Sequence, residues 1–138
     1  MTDVYINYWA VIVAAVAQMV VGSLWYGPLF GKVWMVGMGF TMEKMEEMKK
    51  QGMGALYAVQ AVGSLIAVYV LAHFVDYLVV TTVGGAVRLA FWVWLGFFAT
   101  TALGQVLWEG KSKTLYYVNV GYHLVNLIIA TSILAVWR

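Results

Sequence analysis

Four stretches of this chain carry no charged residue, and each is long enough to cross the hydrocarbon core of a bilayer as a helix. They run for 28 residues between Asp3 and Lys32, 25 between Lys50 and Asp76, 20 between Arg88 and Glu109, and 24 between Lys113 and Arg138. A spanning helix needs about 20 mostly apolar residues. Four such stretches use up most of the 138 residues and leave no room for a soluble domain. The charge content agrees: 10% of residues are charged, against about 25% in a soluble domain whose surface must face water.

A spanning β-barrel would need short alternating strands. Runs such as Val11-Ile12-Val13-Ala14-Ala15-Val16-Ala17 do not alternate. The expected fold class is therefore all-α, an integral membrane four-helix bundle in a single transmembrane domain over 1–138. The spacing predicts helices near 7–26, 54–80, 85–108 and 114–137. The first span lacks a basic n-region and a small-residue cleavage site, so it reads as a helix rather than a cleaved signal peptide. With no cysteine in the chain, disulfides, thiolate metal sites and cysteine nucleophiles are excluded. A net charge of +2 gives no reason to expect nucleic acid.

Lys32, Lys44, Lys49, Lys50, Lys111 and Lys113 lie in the first and third loops, whereas only Arg88 and Arg138 lie on the other side. The positive-inside rule places those loops in the cytoplasm and both termini outside a cytoplasmic membrane. Trp25, Tyr26 and Trp34 read as interfacial anchors at the cytoplasmic end. The Gly27-Pro28-Leu29-Phe30-Gly31 turn is expected to end the first helix, since proline lacks a donor and glycine permits a tight turn. Beyond it, Met35, Met38, Met42, Met45 and Met48 recur at helical spacing. Thr41 can cap that segment, Glu43 suits its first turn, and Lys49 and Lys50 suit its last. A short interfacial helix over 41–50 follows, with its methionine face toward lipid or the bundle.

Two self-similarities raise a duplicated helical hairpin as an option. Trp9 and Leu24-Trp25-x-Gly27 match Trp92 and Leu107-Trp108-x-Gly110, and Leu56-Tyr57-x-Val59-Gln60 matches Leu115-Tyr116-x-Val118-Asn119. Such a repeat would be parallel, about an axis along the membrane normal.

The segment Gly22-Ser23-Leu24-Trp25-Tyr26-Gly27-Pro28-Leu29-Phe30-Gly31-Lys32-Val33-Trp34 resembles the signature of a family of small four-helix prokaryotic membrane proteins catalogued as a domain of unknown function. Gly104-Gln105-Val106-Leu107-Trp108-Glu109-Gly110-Lys111 and Asn119-Val120-Gly121-Tyr122-His123-Leu124-Val125 are similar to its other two recurrent patches. The resemblance implies the four-helix architecture and brings no activity, substrate or cofactor with it.

Polar side chains inside the spans must find partners or face water. Tyr116, Asn119, His123 and Asn126 share one face of the fourth helix. Gln60 and Gln105 fall in the same inner half of the membrane, and Gln18 lies near the middle. These residues are expected to converge inside the bundle. As glue between helices each contact is worth about 0.6 kcal/mol. As a polar cavity they would serve a proton, ion or small solute, with His123 the titrating member. At the outer end Asp76 and Arg88 flank a short turn and are expected to pair, with His73 one turn from Asp76.

No triad spacing and no phosphate-cradling glycine loop is present, so the expectation is a protein that is not an enzyme and needs no metal or cofactor. Its partners are expected to be the lipid bilayer and a second copy or a larger membrane protein. The leading functional expectation is a structural or interaction module; the alternative is an oligomeric transporter or channel.

Overall fold

The computed structural model describes residues 4–137. Four helical stretches in it are long and apolar enough to cross a membrane: Tyr8–Leu29, Gly54–Tyr77, Val83–Leu107 and Lys113–Val136. No strand occurs among the described residues. The chain is an all-α four-helix bundle of membrane-spanning composition.

The first span begins with α1, Tyr8–Leu24. Asn7 caps it by accepting the Trp9 and Ala10 backbone N–H groups, donors that a helix start leaves without partners. The span does not stop at Gly27-Pro28. It widens into a π-helical segment, Trp25–Leu29, with Pro28 inside it and the Phe30 N–H reaching back to the Trp25 carbonyl at 2.8 Å. The turn over 27–31 does close the span, at Leu29 and the non-helical Phe30, but Gly27 and Pro28 stay within the helix for a physical reason. Proline is disruptive in an α-helix because it lacks a donor and its ring meets the carbonyl four residues back. A wider turn shifts the bonding pattern by one residue and relieves that meeting.

After Phe30 come α2 (Gly31–Met38) and α3 (Met42–Lys50). Between them Gly39 takes a left-handed φ of 71°, a C-terminal stop that glycine makes at no steric cost. Thr41 then accepts the Lys44 N–H at 3.2 Å and starts α3. The methionine stripe read as one helical face is thus cut in two: Met35 and Met38 belong to α2, and Met42, Met45 and Met48 to α3.

The second span is α4 (Gly54–Tyr77). The third comprises α5 (Val83–Val93), a π-helical segment (Trp94–Ala99) and α6 (Thr100–Leu107). The fourth is α7 (Lys113–Val136), capped by Ser112. The core is built largely of small residues: Ala10, Ala14 and Ala15 on α1, Ala86 and Ala90 on α5, and Ala130 and Ala135 on α7. Small side chains let backbones approach closely, which is how helices associate where lipid is as apolar as the core.

α7 is the hub. α5 and α1 pack on it from two sides, while α4 packs on α1 and more lightly on α7 but scarcely on α5. The spans therefore run α4, α1, α7, α5 around an arc that is open between its two ends. α4 buries Ser64, Val68, Leu71, Ala72 and Val75 from its middle toward its C-terminal end, whereas Gly54–Gln60 are all exposed. That opening creates the site described next.

Candidate functional site: a lateral crevice lined by unpaired amides

Two tryptophans lock α7 in place, and both stand at the start of a π-helical segment. Trp25 donates its indole N–H to the Val118 carbonyl at 2.9 Å, and Trp94 donates to the Val120 carbonyl at 2.7 Å. A carbonyl inside a helix keeps a second lone pair, so it can accept the indole and keep its own helical bond. Aromatic rings and glycines interlock across the same contact. A Cβ on Gly121 would lie 3.2 Å from Trp25 Cζ2, and a Cβ on Gly22 would lie 3.0 Å from the Tyr122 hydroxyl. Trp25 and Tyr26 thus hold helices together rather than serving simply as anchors at the interface. Tyr26 donates to Asn119 Oδ1 at 2.7 Å.

Beside this lock lie two open cavities that share Gln60, Tyr122 and His123. The larger, about 580 Å³, sits toward the first loop and is bounded by Met19, Ser23, Tyr26, Trp34 and Tyr57. The other, about 420 Å³, continues between α4 and α5 over the flank of α7, toward the C-terminal end of α4. Gln18, Ser64, Phe98 and Asn126 border its floor, with Val70, Phe74 and Val93 beyond. The wide turns supply part of this lining: Tyr26 and Gly27 come from the first π segment and Phe98 from the second. Widened turns commonly re-aim side chains at functional sites. The Phe98 ring lies 4.9 Å from His123, and the Tyr122 ring 5.3 Å.

The expected single polar cluster is two clusters. Gln18, Gln60, His123 and Asn126 border the crevice. Gln105, Tyr116 and Asn119 surround a separate pocket of about 10 Å³ near Lys111, too small to hold more than about one water. In that second group two of the three side chains are matched: the Tyr116 hydroxyl donates to the Ala99 carbonyl at 2.8 Å, and Asn119 receives Tyr26, while the Gln105 side chain is exposed. In the first group none is matched. Gln18, Gln60, His123 and Asn126 make no side-chain hydrogen bond among the described residues. Asn126 is 7% exposed and its Oδ1 is buried without a partner. A buried acceptor left unmatched costs about 1–3 kcal/mol, and Asn126 makes no side-chain hydrogen bond to another helix among the described residues.

The outer group also departs from expectation. Asp76 receives the Tyr5 backbone N–H at 3.4 Å and has a further partner besides, whereas Arg88 is exposed, and no ion pair joins the two among the described residues. The reason is packing: the outer end of α4 faces the chain entering α1, and α4 has little contact with α5. His73 Nδ1 lies 2.9 Å from the Tyr69 carbonyl. A carbonyl only accepts, so Nδ1 carries the proton. The His73 ring packs against Tyr69 at 4.8 Å. Among the described residues no three His, Asp or Glu side chains cluster as a metal site.

Sequence reasoning did not single out Ser64, Phe98, Tyr122 or Trp94 as site residues. Trp94 had a signal, the Trp94-x-Gly96 string that repeats Trp25-x-Gly27 at the head of the other wide turn. The hairpin repeat had aligned Trp25 with Trp108 instead, but Trp108 is 88% exposed at the end of its span.

A family model described as "Protein of unknown function (DUF1761)" matches residues 9–135 of the chain. No curated protein and no solved structure matches it.

Proposed function

The chain belongs to the DUF1761 family, and since that family has no described activity to lend, we propose from the site itself that it is a binding module for a small molecule within the membrane, of the transporter or channel class rather than an enzyme. The observation that carries this reading is the state of Gln18, Gln60, His123 and Asn126. These polar groups border an open crevice and leave their hydrogen-bonding capacity unspent. Glue would have paired them across helices. Polar groups kept unpaired at membrane depth serve something that enters.

The reading is tested by thiol reactivity, since thiolates attack methanethiosulfonate reagents with loss of methanesulfinate and so report water. In a chain without cysteine, Gln60→Cys in the crevice is expected to react at least ~10-fold faster than Val59→Cys beside it, because a thiol in lipid stays protonated. Equal, slow rates at both positions would mean a dry site and would overturn the proposal.

An interaction module is the second reading, favoured by the exposed first turns of α4, where Leu56, Tyr57, Val59 and Val62 lie on the surface. The two readings are compatible in an oligomer, because a second copy or a larger membrane protein set against α4 would wall the open flank of the crevice.

The proposal places the protein in the cytoplasmic membrane with its first and third loops inside, following the lysine asymmetry. Arg138, expected outside, lies beyond the described residues. In intact cells Thr81→Cys is expected to be labelled by an impermeant maleimide, and Lys44→Cys only after permeabilisation. The opposite pattern would invert the topology.

A further inference from the structure

We propose that the crevice takes a neutral amphipathic alcohol, with its hydroxyl held at Asn126 and His123 and its alkyl chain running outward between α4 and α5. The inference rests on the crevice reading and names the chemical class of its ligand.

Charge is decided first. No Lys, Arg, Asp or Glu lines either cavity, so an ionic head group would enter without a counter-charge, at a cost that low-dielectric surroundings make large. The ligand is neutral.

Its head follows from Asn126. A carboxamide offers a donor and an acceptor, and this one is more than nine-tenths buried, borders the cavity and has Oδ1 unpaired. That oxygen lies beneath the cavity surface, and the proposal has the amide turn about Cβ–Cγ to present it. His123, one turn before it on the same face of α7, also keeps its ring nitrogens unbonded among the described residues. A hydroxyl is the smallest group that donates to one and accepts from another.

The tail follows from the walls. From Ser64, at the polar floor, to Phe74 is ten residues of α4, or ~15 Å at the rise of an α-helix. Beyond the floor this stretch presents Val70 and Phe74, faced by Val93 across the gap. That is room for an alkyl chain of medium length. Because α4 and α5 scarcely touch, the gap between them opens sideways, so a lipid-soluble molecule can enter from the bilayer without crossing an aqueous mouth.

The experiment uses the full chain in nanodiscs with Ala67→Cys, a position on the crevice wall, and measures the rate of thiol modification. 1-Decanol is expected to slow modification about tenfold at ten times its Kd, as the factor 1 + [L]/Kd requires. n-Decane, which has the tail without the head, is expected to protect far less, and decyltrimethylammonium likewise. Adding Asn126→Leu should abolish the decanol protection. Val59→Cys on the outer surface of α4 controls for general effects on the bilayer and should not respond to decanol.

Equal protection by decanol and decane would leave no role for the polar floor and would overturn the inference, as would protection by the ammonium alone. The comparison of probes does not depend on whether Asn126→Leu folds. If Gln60→Cys reacts rapidly but decanol protects nothing, the crevice binds something else and only this inference falls. If Gln60→Cys is unreactive, the crevice reading itself falls.

Discussion

Replacing Trp25 with alanine is expected to cost about 3 kcal/mol of stability in detergent, the lower end of what removing a large aromatic side chain costs. Trp25 does three things at once. Its N–H reaches the Val118 carbonyl, its ring lies over Gly121, and it packs against Phe30 at 4.7 Å. Trp25→Phe keeps the ring stacking and loses the hydrogen bond, so it should cost only about 1 kcal/mol. Gly121→Ala sharpens the test. Its new Cβ would lie 3.2 Å from the indole, tight enough that the ring or the helix has to shift. In a Trp25→Leu background that ring atom is gone and the added methyl should be harmless. Thermal unfolding of the four proteins forms a double-mutant cycle with an expected coupling of about 1 kcal/mol. Losses that simply add would mean that Trp25 and Gly121 do not meet.

The second large effect runs the other way. Asn126→Leu is expected to stabilise the ligand-free protein by about 1–3 kcal/mol, the desolvation cost of a buried group left unmatched. Leucine has asparagine's branched shape but is larger, and the adjoining cavity, which Asn126 borders, can take the excess. The measurement is the unfolding midpoint followed by circular dichroism in one detergent. A lower midpoint for the variant would show that the amide has a stabilising partner after all. A residue that weakens the fold where it stands is the kind that function retains.

The spans were legible in the sequence because lipid imposes a length on every uncharged run, and a run of apolar residues reports that length directly. Depth within a span was legible too, since rise per residue is fixed. What depth does not give is azimuth. Gln60 and Gln105 stand at similar depth on antiparallel helices, yet one borders the crevice and the other the small pocket near Lys111. Which sides meet is set by the packing order, and that order depends on where alanines and glycines let backbones come close. Asp76 and Arg88 are not brought together among the described residues for the same reason: α4 and α5 are neighbours in sequence but lean on α1 and α7. The turn over 27–31 was legible as the end of the first span, but the sequence shows Pro28 without the wider bonding pattern that keeps it helical.

Those two wide turns bear on how chains of this kind can vary in length. Removing one residue from an α-helix turns everything beyond it by about 100°, and in α7 that would swing one of the buried flanks into lipid. A π-helical segment already holds a residue more than the α pattern requires. Losing one within Trp94–Ala99 can therefore be absorbed by closing the wide turn to an ordinary one, with Ala86 and Ala90 on one side and Gln105 on the other still facing as before. Single-residue gaps between related chains belong at these two turns, and a relative that has lost one there has also lost the widening that carries Tyr26 or Phe98 into the crevice.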